Sequence, residues 1–166
     1  MAGSRRDAGP VRLLVEFAVR PVAVVRNSRT EAIDDQWNSI TSTIELLDGV
    51  PSTSLIGLDT FSHIELLFLA DRASDVPPAP WSRRPRGNPE WPEVGIFAQR
   101  NKDRPNRLLS SIATIVNVRE RAVVVTGLDA IDGTPVLDIK PVFTWSGPQG
   151  PLVTPQWSDD LGEIYF

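Results

Sequence analysis

The chain has 166 residues and a formal net charge of −4, with 17 Lys and Arg against 21 Asp and Glu, and 41% of it is hydrophobic. This length suits one domain that buries roughly 70% of the surface its unfolded chain exposes. No apolar run approaches the roughly 20 residues that span a bilayer, the acidic balance disfavours general nucleic-acid binding, and the absence of cysteine excludes disulfides and thiolate chemistry.

The N-terminal segment carries arginines before an apolar stretch, but Glu16 interrupts that stretch and no small-residue cleavage site follows. We expect residues 1–16 to form a flexible tail ahead of one domain at residues 17–166, in a cytoplasmic protein. His63 is the only histidine, and because a lone histidine beside a strand is more often structural, we expect neither a metal site nor catalysis there.

Alternating apolar and β-branched residues predict strands, in chain order, at VRPVAVVRNS, SITSTIELL, HIELLFLA, EVGIFAQR, SIATIVNVRE and RAVVVTGL. Short strands separated by proline and glycine predict a mainly β, single-domain antiparallel β-barrel, closed or nearly closed. Residues 74–94 are too proline-rich for a regular element, and they predict a functional loop or a disordered flap. We expect the C-terminal segment to pack Trp157 and Tyr165 against the domain.

The segment GLDAIDGTPVLDIKP, residues 127–141, places charged residues within an apolar run. Asp129 and Asp132 either shape a turn before the Thr-Pro pair or bind a ligand that carries hydroxyl or ammonium groups. Asp138 and Lys140 are expected to form a partly buried ion pair that supports a pocket. The phosphate-binding and nucleophile signatures GxGxxG, GxxxxGK[ST] and GxSxG are missing, so a Rossmann enzyme is not expected.

Arginines are concentrated between residues 83 and 107, which predicts a local anion-binding patch. Such a patch serves a phosphate or a carboxylate equally well. Trp81 and Trp91 lie in the same region and either stack on a planar acceptor or anchor the loop.

The motifs GLDTFSHIELLF, PRGN, GIFAQR, RPN and GLDAIDGTPVLDIKP together resemble, in order and spacing, the TsaA-like or TrmO-like family of methyltransferases, from Arg20 to about Trp145. The resemblance implies a β-barrel that binds S-adenosylmethionine without a Rossmann fold, commonly as a homodimer with its pocket near the subunit interface. It also implies tRNA N6-threonylcarbamoyladenosine as an acceptor known in the family.

The resemblance implies a set of cofactor-binding residues, among which Arg100 is the strongest candidate because its planar fork can hold a carboxylate or stack on a base. Gly133 would allow close backbone approach. The cofactor-binding candidates are Asp34, Asp35, Gln36, Asp71, Arg72, Arg100, Ser110, Asp129, Ala130, Ile131 and Asp132.

Substrate contacts are predicted for arginines and one asparagine of the same region, and Asp138 is the candidate group that orients the acceptor and takes its proton. The substrate-binding candidates are Arg84, Arg86, Arg104, Asn106 and Arg107.

Departures from the family pattern affect the expected acceptor. Arg107 to Ser111 replace a commonly glycine-containing stretch, and Asp71 and Arg84 stand where histidine is common. These changes favour methylation of a nitrogen or oxygen of a small metabolite. The alternatives are tRNA modification, with arginines on phosphates, and a non-catalytic S-adenosylmethionine-binding module.

Overall fold

The computed structural model describes residues 16–31, 35–74 and 80–165. It contains eight β-strands and one α-helix in these ranges. The strands are β1 (Ala23–Arg26), β2 (Thr41–Leu46), β3 (His63–Leu69), β4 (Ser82–Arg83), β5 (Val94–Gly95), β6 (Leu108–Arg119), β7 (Ala122–Thr126) and β8 (Pro135–Pro141), and the helix is α1 (Gln156–Tyr165).

Six strands close into a barrel in the order β1-β2-β7-β6-β3-β8, and every neighbouring pair is antiparallel. The mainly β barrel expected from the sequence is therefore confirmed. Each strand directs alternate side chains inward, and the fully buried Ile44, Ile64, Leu66, Val123 and Val125 belong to one core.

Antiparallel order places three connections at the same end of the barrel, which we call the upper end. These are residues 27–40 between β1 and β2, residues 70–107 between β3 and β6, and residues 127–134 between β7 and β8. Nearly all candidate site residues lie in these connections. Ser110 and Asp138 are the exceptions, because they lie within β6 and β8.

The charged run of β8 faces outward. Asp138 pairs with Leu67 and Lys140 with Glu65, whereas Ile139 pairs with the fully buried Leu66. Successive side chains of a strand alternate between its two faces, so Asp138 and Lys140 lie on the outer face and Ile139 packs against the core. A β-bulge opposite Leu67 and Phe68 shifts the register by one residue, so Val136 also faces the core.

The strand expected at EVGIFAQR is largely wrong. Only Val94–Gly95 forms a strand, pairing with Ser82–Arg83 in a small separate sheet, and a 3₁₀ turn follows at Ile96–Ala98. β8 already pairs with β1 and β3, so the closed barrel has no free edge for this segment.

The proline-rich segment of residues 74–94, as far as the structure describes it, is largely irregular, as expected. Gln99 is buried, and its Nε2 donates to the carbonyls of Arg83 and Val94, both at 3.1 Å. This side chain holds the two sides of the small sheet together.

The C-terminal helix was not predicted, but the expected packing of Trp157 and Tyr165 is confirmed. The Trp157 ring lies 6.4 Å from that of Trp91, between centroids, and Tyr165 contacts the upper end. The predicted N-terminal tail at residues 1–16 lies outside the described residues except for Glu16. Within the described ranges, no helix has the length and apolar character needed to cross a membrane.

Candidate functional site at the upper end of the barrel

The loop of residues 127–134 is fastened to the end of β1 by Asn27. Its Nδ2 donates to the carbonyl of Ala130 at 2.8 Å and to Oγ of Ser42 at 2.9 Å, and its backbone nitrogen donates to the Asp132 carboxylate at 3.1 Å. Ser42 is fully buried and Ala130 nearly so. Asn27 therefore fixes the loop against the core, a role that the sequence analysis did not assign.

Arg72 and the backbone of β1 hold the far side of this loop. Arg72 donates from Nη2 to the carbonyl of Asp132 and from Nη1 to the carbonyl of Thr30, both at 3.1 Å. The next residue, Gly133, has φ of 85° and donates from its nitrogen to the Val25 carbonyl at 2.8 Å. A Cβ at Gly133 would lie 3.3 Å from Nη2 of Arg72, so a glycine suits both the backbone and the space.

One cluster of side chains combines residues from all three connections: Asp35, Arg86 and Asp129. Arg86 pairs with Asp35, and Tyr165 contacts both Arg86 and Asp129. Nη2 of Arg86 lies 2.6 Å from Oδ1 of Asp35, and its guanidinium carbon lies 5.6 Å from the centroid of the Tyr165 ring. The Tyr165 hydroxyl donates to Oδ2 of Asp129. We call Asp35, Arg86, Asp129 and Tyr165 the upper cluster.

Gln36 and Trp37 continue the upper cluster toward the core. Gln36 has a left-handed backbone with φ of 64°, and its nitrogen donates to the Tyr165 carbonyl at 3.1 Å. Trp37 is buried with the guanidinium carbon of Arg29 at 4.5 Å from its ring centroid, and Nη1 of Arg29 donates to the Asp35 carbonyl at 2.6 Å. Arg29 and Trp37 thus support the 35–36 segment, although the sequence offered no signal for either.

Backbone strain coincides with the candidate residues. In the described ranges, the residues other than glycine with positive φ are Gln36, Arg86 and Arg107. A left-handed conformation costs such residues about 1–2 kcal/mol, and strain of this kind clusters at functional sites. All three had been assigned to the site from the sequence.

A second group of candidates lies on the outer face of the barrel. Arg100 donates from Nη2 to the carbonyl of Ser110 at 2.7 Å and to its Oγ at 3.3 Å. Ser110 and Asp138 both pair with Leu67, one from each side of β3. The Asp138 carboxylate forms an ion pair with Lys140, and about half of each side chain is exposed. We call Arg100, Ser110 and Asp138 the outer row.

The substrate-binding candidates are tied to protein partners. Arg84 donates to the carbonyl of Trp91 and to that of Pro89 at 3.3 Å, and Arg104 donates to the Gln99 carbonyl at 2.7 Å. Arg107 donates to the carbonyls of Ala73 at 3.2 Å and Asp71 at 3.4 Å, and Asn106 is exposed. Arg107 thereby connects Asp71 to the start of β6.

The structure thus separates the predicted set into the upper cluster with its supporting loop, the outer row, and a third group in the 70–107 connection. The third group is Asp71, Arg84, Arg104, Asn106 and Arg107. Ala130 and Ile131 belong to the 127–134 loop, and Ala130 is buried. Asp34 lies outside the described residues. The ligand-binding roles of these residues stay predictions.

Two shallow depressions, of about 250 and 440 Å³, lie at the opposite end of the barrel, around Arg119 and Glu120. Neither is lined by a candidate residue. Within the described part of the chain, no group of three or more His, Asp or Glu side chains is arranged to hold a metal ion.

The fold and the site define a closed antiparallel β-barrel with a polar site in the connections at one end, an architecture distinct from the Rossmann fold. A family model described as the tRNA-methyltransferase O N-terminal domain matches residues 30–146. The chain belongs to this family.

Solved and curated relatives extend the likeness. The crystal structure of TrmO from Pseudomonas aeruginosa superposes with a TM-score of 0.69 and 26% identity, covering 86% of this chain and 62% of that one. A mouse tRNA (adenine(37)-N6)-methyltransferase is 38% identical over 60% of this chain, and the match spans only 23% of the mouse enzyme. A protein from Methanothermobacter thermautotrophicus named "Probable S-adenosyl-L-methionine-binding protein" is 34% identical over 78% of this chain and 92% of its own length.

Proposed function

We propose that this protein is an S-adenosylmethionine-dependent methyltransferase whose cofactor binds at the upper end of the barrel. The observation that carries the proposal is the upper cluster: Asp35, Arg86 and Asp129 come from three separate connections and are brought together with Tyr165. The curated relatives include a tRNA (adenine(37)-N6)-methyltransferase and a protein named "Probable S-adenosyl-L-methionine-binding protein", which supports the same reading.

The side chains fit the chemistry of this cofactor. S-adenosylmethionine carries a sulfonium and an ammonium cation, a carboxylate, ribose hydroxyls and a planar base. Its site therefore needs hydrogen-bond acceptors for the cations and hydroxyls, a cationic group for the carboxylate, and an apolar surface for the base. At the upper end, Asp35, Asp129 and Asp132 supply carboxylates and Arg72 supplies a guanidinium group. Arg100, in the outer row, offers a second guanidinium group on the outer face. The positive φ of Gly133 lets the backbone approach a ligand closely.

S-adenosylmethionine supplies, when bound, a methyl group on a positively charged sulfur. The protein has to hold the lone pair of an acceptor in line with that group and to exclude water. Asp138 is our candidate to orient an N–H or O–H acceptor and to receive its proton. Lys140 forms an ion pair with this carboxylate on the outer face of the barrel.

The acceptor we propose is a nitrogen or oxygen of a small metabolite. The arginines that would grip a phosphate backbone are engaged internally: Arg83 pairs with Asp103 at 3.1 Å, Arg86 pairs with Asp35, and Arg84 and Arg107 donate to backbone carbonyls. To bind phosphates, these arginines would first have to break their ion pairs and hydrogen bonds within the protein, which weakens phosphate binding.

tRNA is the second candidate acceptor, since the family model and the mouse relative both carry tRNA methylation in their names. The exposed aromatic pair Trp81 and Phe97, with ring centroids 6.3 Å apart, offers a surface on which an unstacked base could lie. The exposure of these rings is what favours this reading.

We further propose that the protein is a cytoplasmic homodimer whose pocket lies near the subunit interface. The outer face of β6 exposes Leu108, Ile112 and Val116, by 45%, 59% and 58%. The outer row lies on the same face, and the upper cluster at the barrel end. A second copy covering this apolar face would bring its own residues to the outer row.

The first test is calorimetric titration of the purified protein with S-adenosylmethionine. Asp129→Asn is expected to weaken binding about tenfold or more, whereas Asp48→Asn, the same change in an exposed turn at the opposite end, leaves it unchanged. Absence of binding by the unaltered protein would sink the proposal.

The second test incubates the protein with methyl-labelled S-adenosylmethionine and either a metabolite extract or total tRNA, both from cells that lack the gene. Label entering the metabolite fraction supports the small acceptor, and label entering tRNA replaces it with the second candidate. Binding with no label in either fraction supports a non-catalytic binding module.

A further inference from the structure

Tyr165 is the only tyrosine of the chain and the last residue of α1. It touches all three segments of the upper cluster. Its hydroxyl donates to Asp129, its ring lies under the guanidinium of Arg86, and its carbonyl accepts from the Gln36 nitrogen at 3.1 Å. One residue thus links connections that are far apart in the sequence.

The helix that carries Tyr165 reaches the barrel over an exposed segment. Residues 143–156 are all exposed, so this part of the chain adds little burial. The described contacts that seat α1 include the ring of Trp157 against Trp91 and the three contacts of Tyr165. The C-terminal end of the helix is therefore held at the upper cluster by the contacts of Tyr165.

We propose that Tyr165 is a positioning residue for Asp129, holding its carboxylate in the orientation that binds the cofactor. The inference rests on the proposed function. Asp129 is the group that would touch the ligand, through a hydroxyl or ammonium hydrogen, and Tyr165 acts only through it.

The physical reason is the strength and direction of a hydrogen bond to an ionised acceptor. A phenol that donates to a carboxylate forms one of the stronger hydrogen bonds in proteins, and it selects one rotation of the carboxyl group among several. When the carboxylate is already held in one orientation, the ligand binds more tightly, because no entropy is lost in ordering that group on binding. Arg86 over the Tyr165 ring keeps the phenol in place.

Tyr165→Phe tests the hydroxyl alone, because it keeps the ring under Arg86 and the carbonyl that accepts from Gln36. We expect about tenfold weaker binding of S-adenosylmethionine by calorimetry. Trp157→Phe is the matched control: it alters the seating of α1 and leaves the Tyr165 hydroxyl in place, so its affinity is expected to stay within about twofold of the unaltered protein.

Two further measurements separate positioning from simple helix docking. Hydrogen exchange over residues 156–165 is expected to be the same in Tyr165→Phe and the unaltered protein. In an Asp129→Asn background, Tyr165→Phe should cause no further loss of affinity, because the carboxylate it orients is gone.

Unchanged or tighter binding by Tyr165→Phe would overturn the inference. Losses of affinity that add in the Asp129→Asn, Tyr165→Phe double variant would also overturn it. So would losses of affinity that rise with hydrogen exchange of the helix in both Tyr165→Phe and Trp157→Phe. These outcomes leave the proposed function intact, because they require that the unaltered protein binds. If the unaltered protein does not bind S-adenosylmethionine, the proposed function fails and the inference fails with it.

Discussion

Nη2 of Arg86 lies 2.6 Å from Oδ1 of Asp35, although the two residues are 51 positions apart in the sequence. Arg86 forms this contact from a left-handed backbone with φ of 52°, within the 3₁₀ turn Pro85–Gly87. The Arg86 side chain is only 27% exposed and that of Asp35 42%. A strained residue therefore supplies the cation that connects two parts of the upper cluster.

Replacing Arg86 by glycine or by alanine removes the same guanidinium but leaves different strain. We expect Arg86→Gly to be more stable than Arg86→Ala by about 1 kcal/mol, because glycine adopts positive φ without steric cost. Both variants should bind S-adenosylmethionine about equally weakly. Urea denaturation measures the stability of each variant, and calorimetry measures its binding of S-adenosylmethionine. An alanine variant at least as stable as the glycine variant would show that the backbone of Arg86 is not strained.

Gly133→Ala should damage both the backbone and the position of Arg72. The new Cβ would lie 3.3 Å from Nη2 of Arg72 at a φ of 85°. The matched control is Gly49→Ala, with φ of 89° and nothing within 4 Å of its Cβ. Both variants should lose about 1–2 kcal/mol of stability by thermal denaturation, but only Gly133→Ala should weaken cofactor binding. Equal binding by the two variants would argue against a role for this loop.

Asn27→Ala should destabilise the protein by about 2–3 kcal/mol, since it leaves the carbonyl of Ala130 and the buried hydroxyl of Ser42 without this donor. Asn117→Ala, on the exposed face of β6, is the control and should stay within about 0.5 kcal/mol of the unaltered protein. Chemical denaturation of both variants checks this. Similar values for the two would show that Asn27 does not anchor the 127–134 loop.

Ile112→Lys should dissociate the proposed dimer without unfolding the chain. Ile112 pairs with Glu65 across the strands, so the new lysine gains an opposite charge while losing little burial. Ile56→Lys is the control, because Ile56 is 81% exposed at the other end of the barrel. Sedimentation equilibrium should show a monomer for Ile112→Lys alone, with weaker cofactor binding; a dimer in both variants would place the interface elsewhere.

Asp138→Asn should lower methyl transfer about 10²-fold or more, the scale of a lost general base, with cofactor affinity little changed. Stability should fall by less than about 1 kcal/mol, because the ion pair with Lys140 is half exposed. Lys140→Met removes the partner and keeps the carboxylate, so a large part of the activity should remain. If Asp138→Asn retains full activity in single-turnover assays, Asp138 is not the proton acceptor.

Alternation and turn residues were enough to predict the barrel and the position of most of its strands. The sequence did not indicate that β8 is a strand with its charges outward, because Val136 and Ile139 are three positions apart and only a β-bulge puts both on the inner face. The reverse error occurred at residues 93–100, where the local pattern favours a strand but closure of the barrel leaves no edge to pair with.

The candidate site was predictable only where it resembled a known family. Asn27 acts on the site through contacts with Ala130 and Asp132, far away in the sequence, and no local pattern marks such contacts. Arg29 contacts the nearby Asp35 and Trp37, but no motif in the sequence marks that arrangement. Tyr165 was expected to pack on the domain, yet its link to Asp129 depends on the direction of a helix that the sequence analysis did not identify.

The bonds from Asn27 to Ala130 and Asp132 join residues 103 and 105 positions apart, and β1 closes the barrel by pairing with β8. During synthesis, β1 therefore cannot form its hydrogen bonds with β8 until almost the whole domain has been made. Contacts of such long sequence separation slow folding. A nascent chain should fix the 127–134 loop only after β8 has left the ribosome, so binding at the proposed cofactor site would indicate a completed barrel.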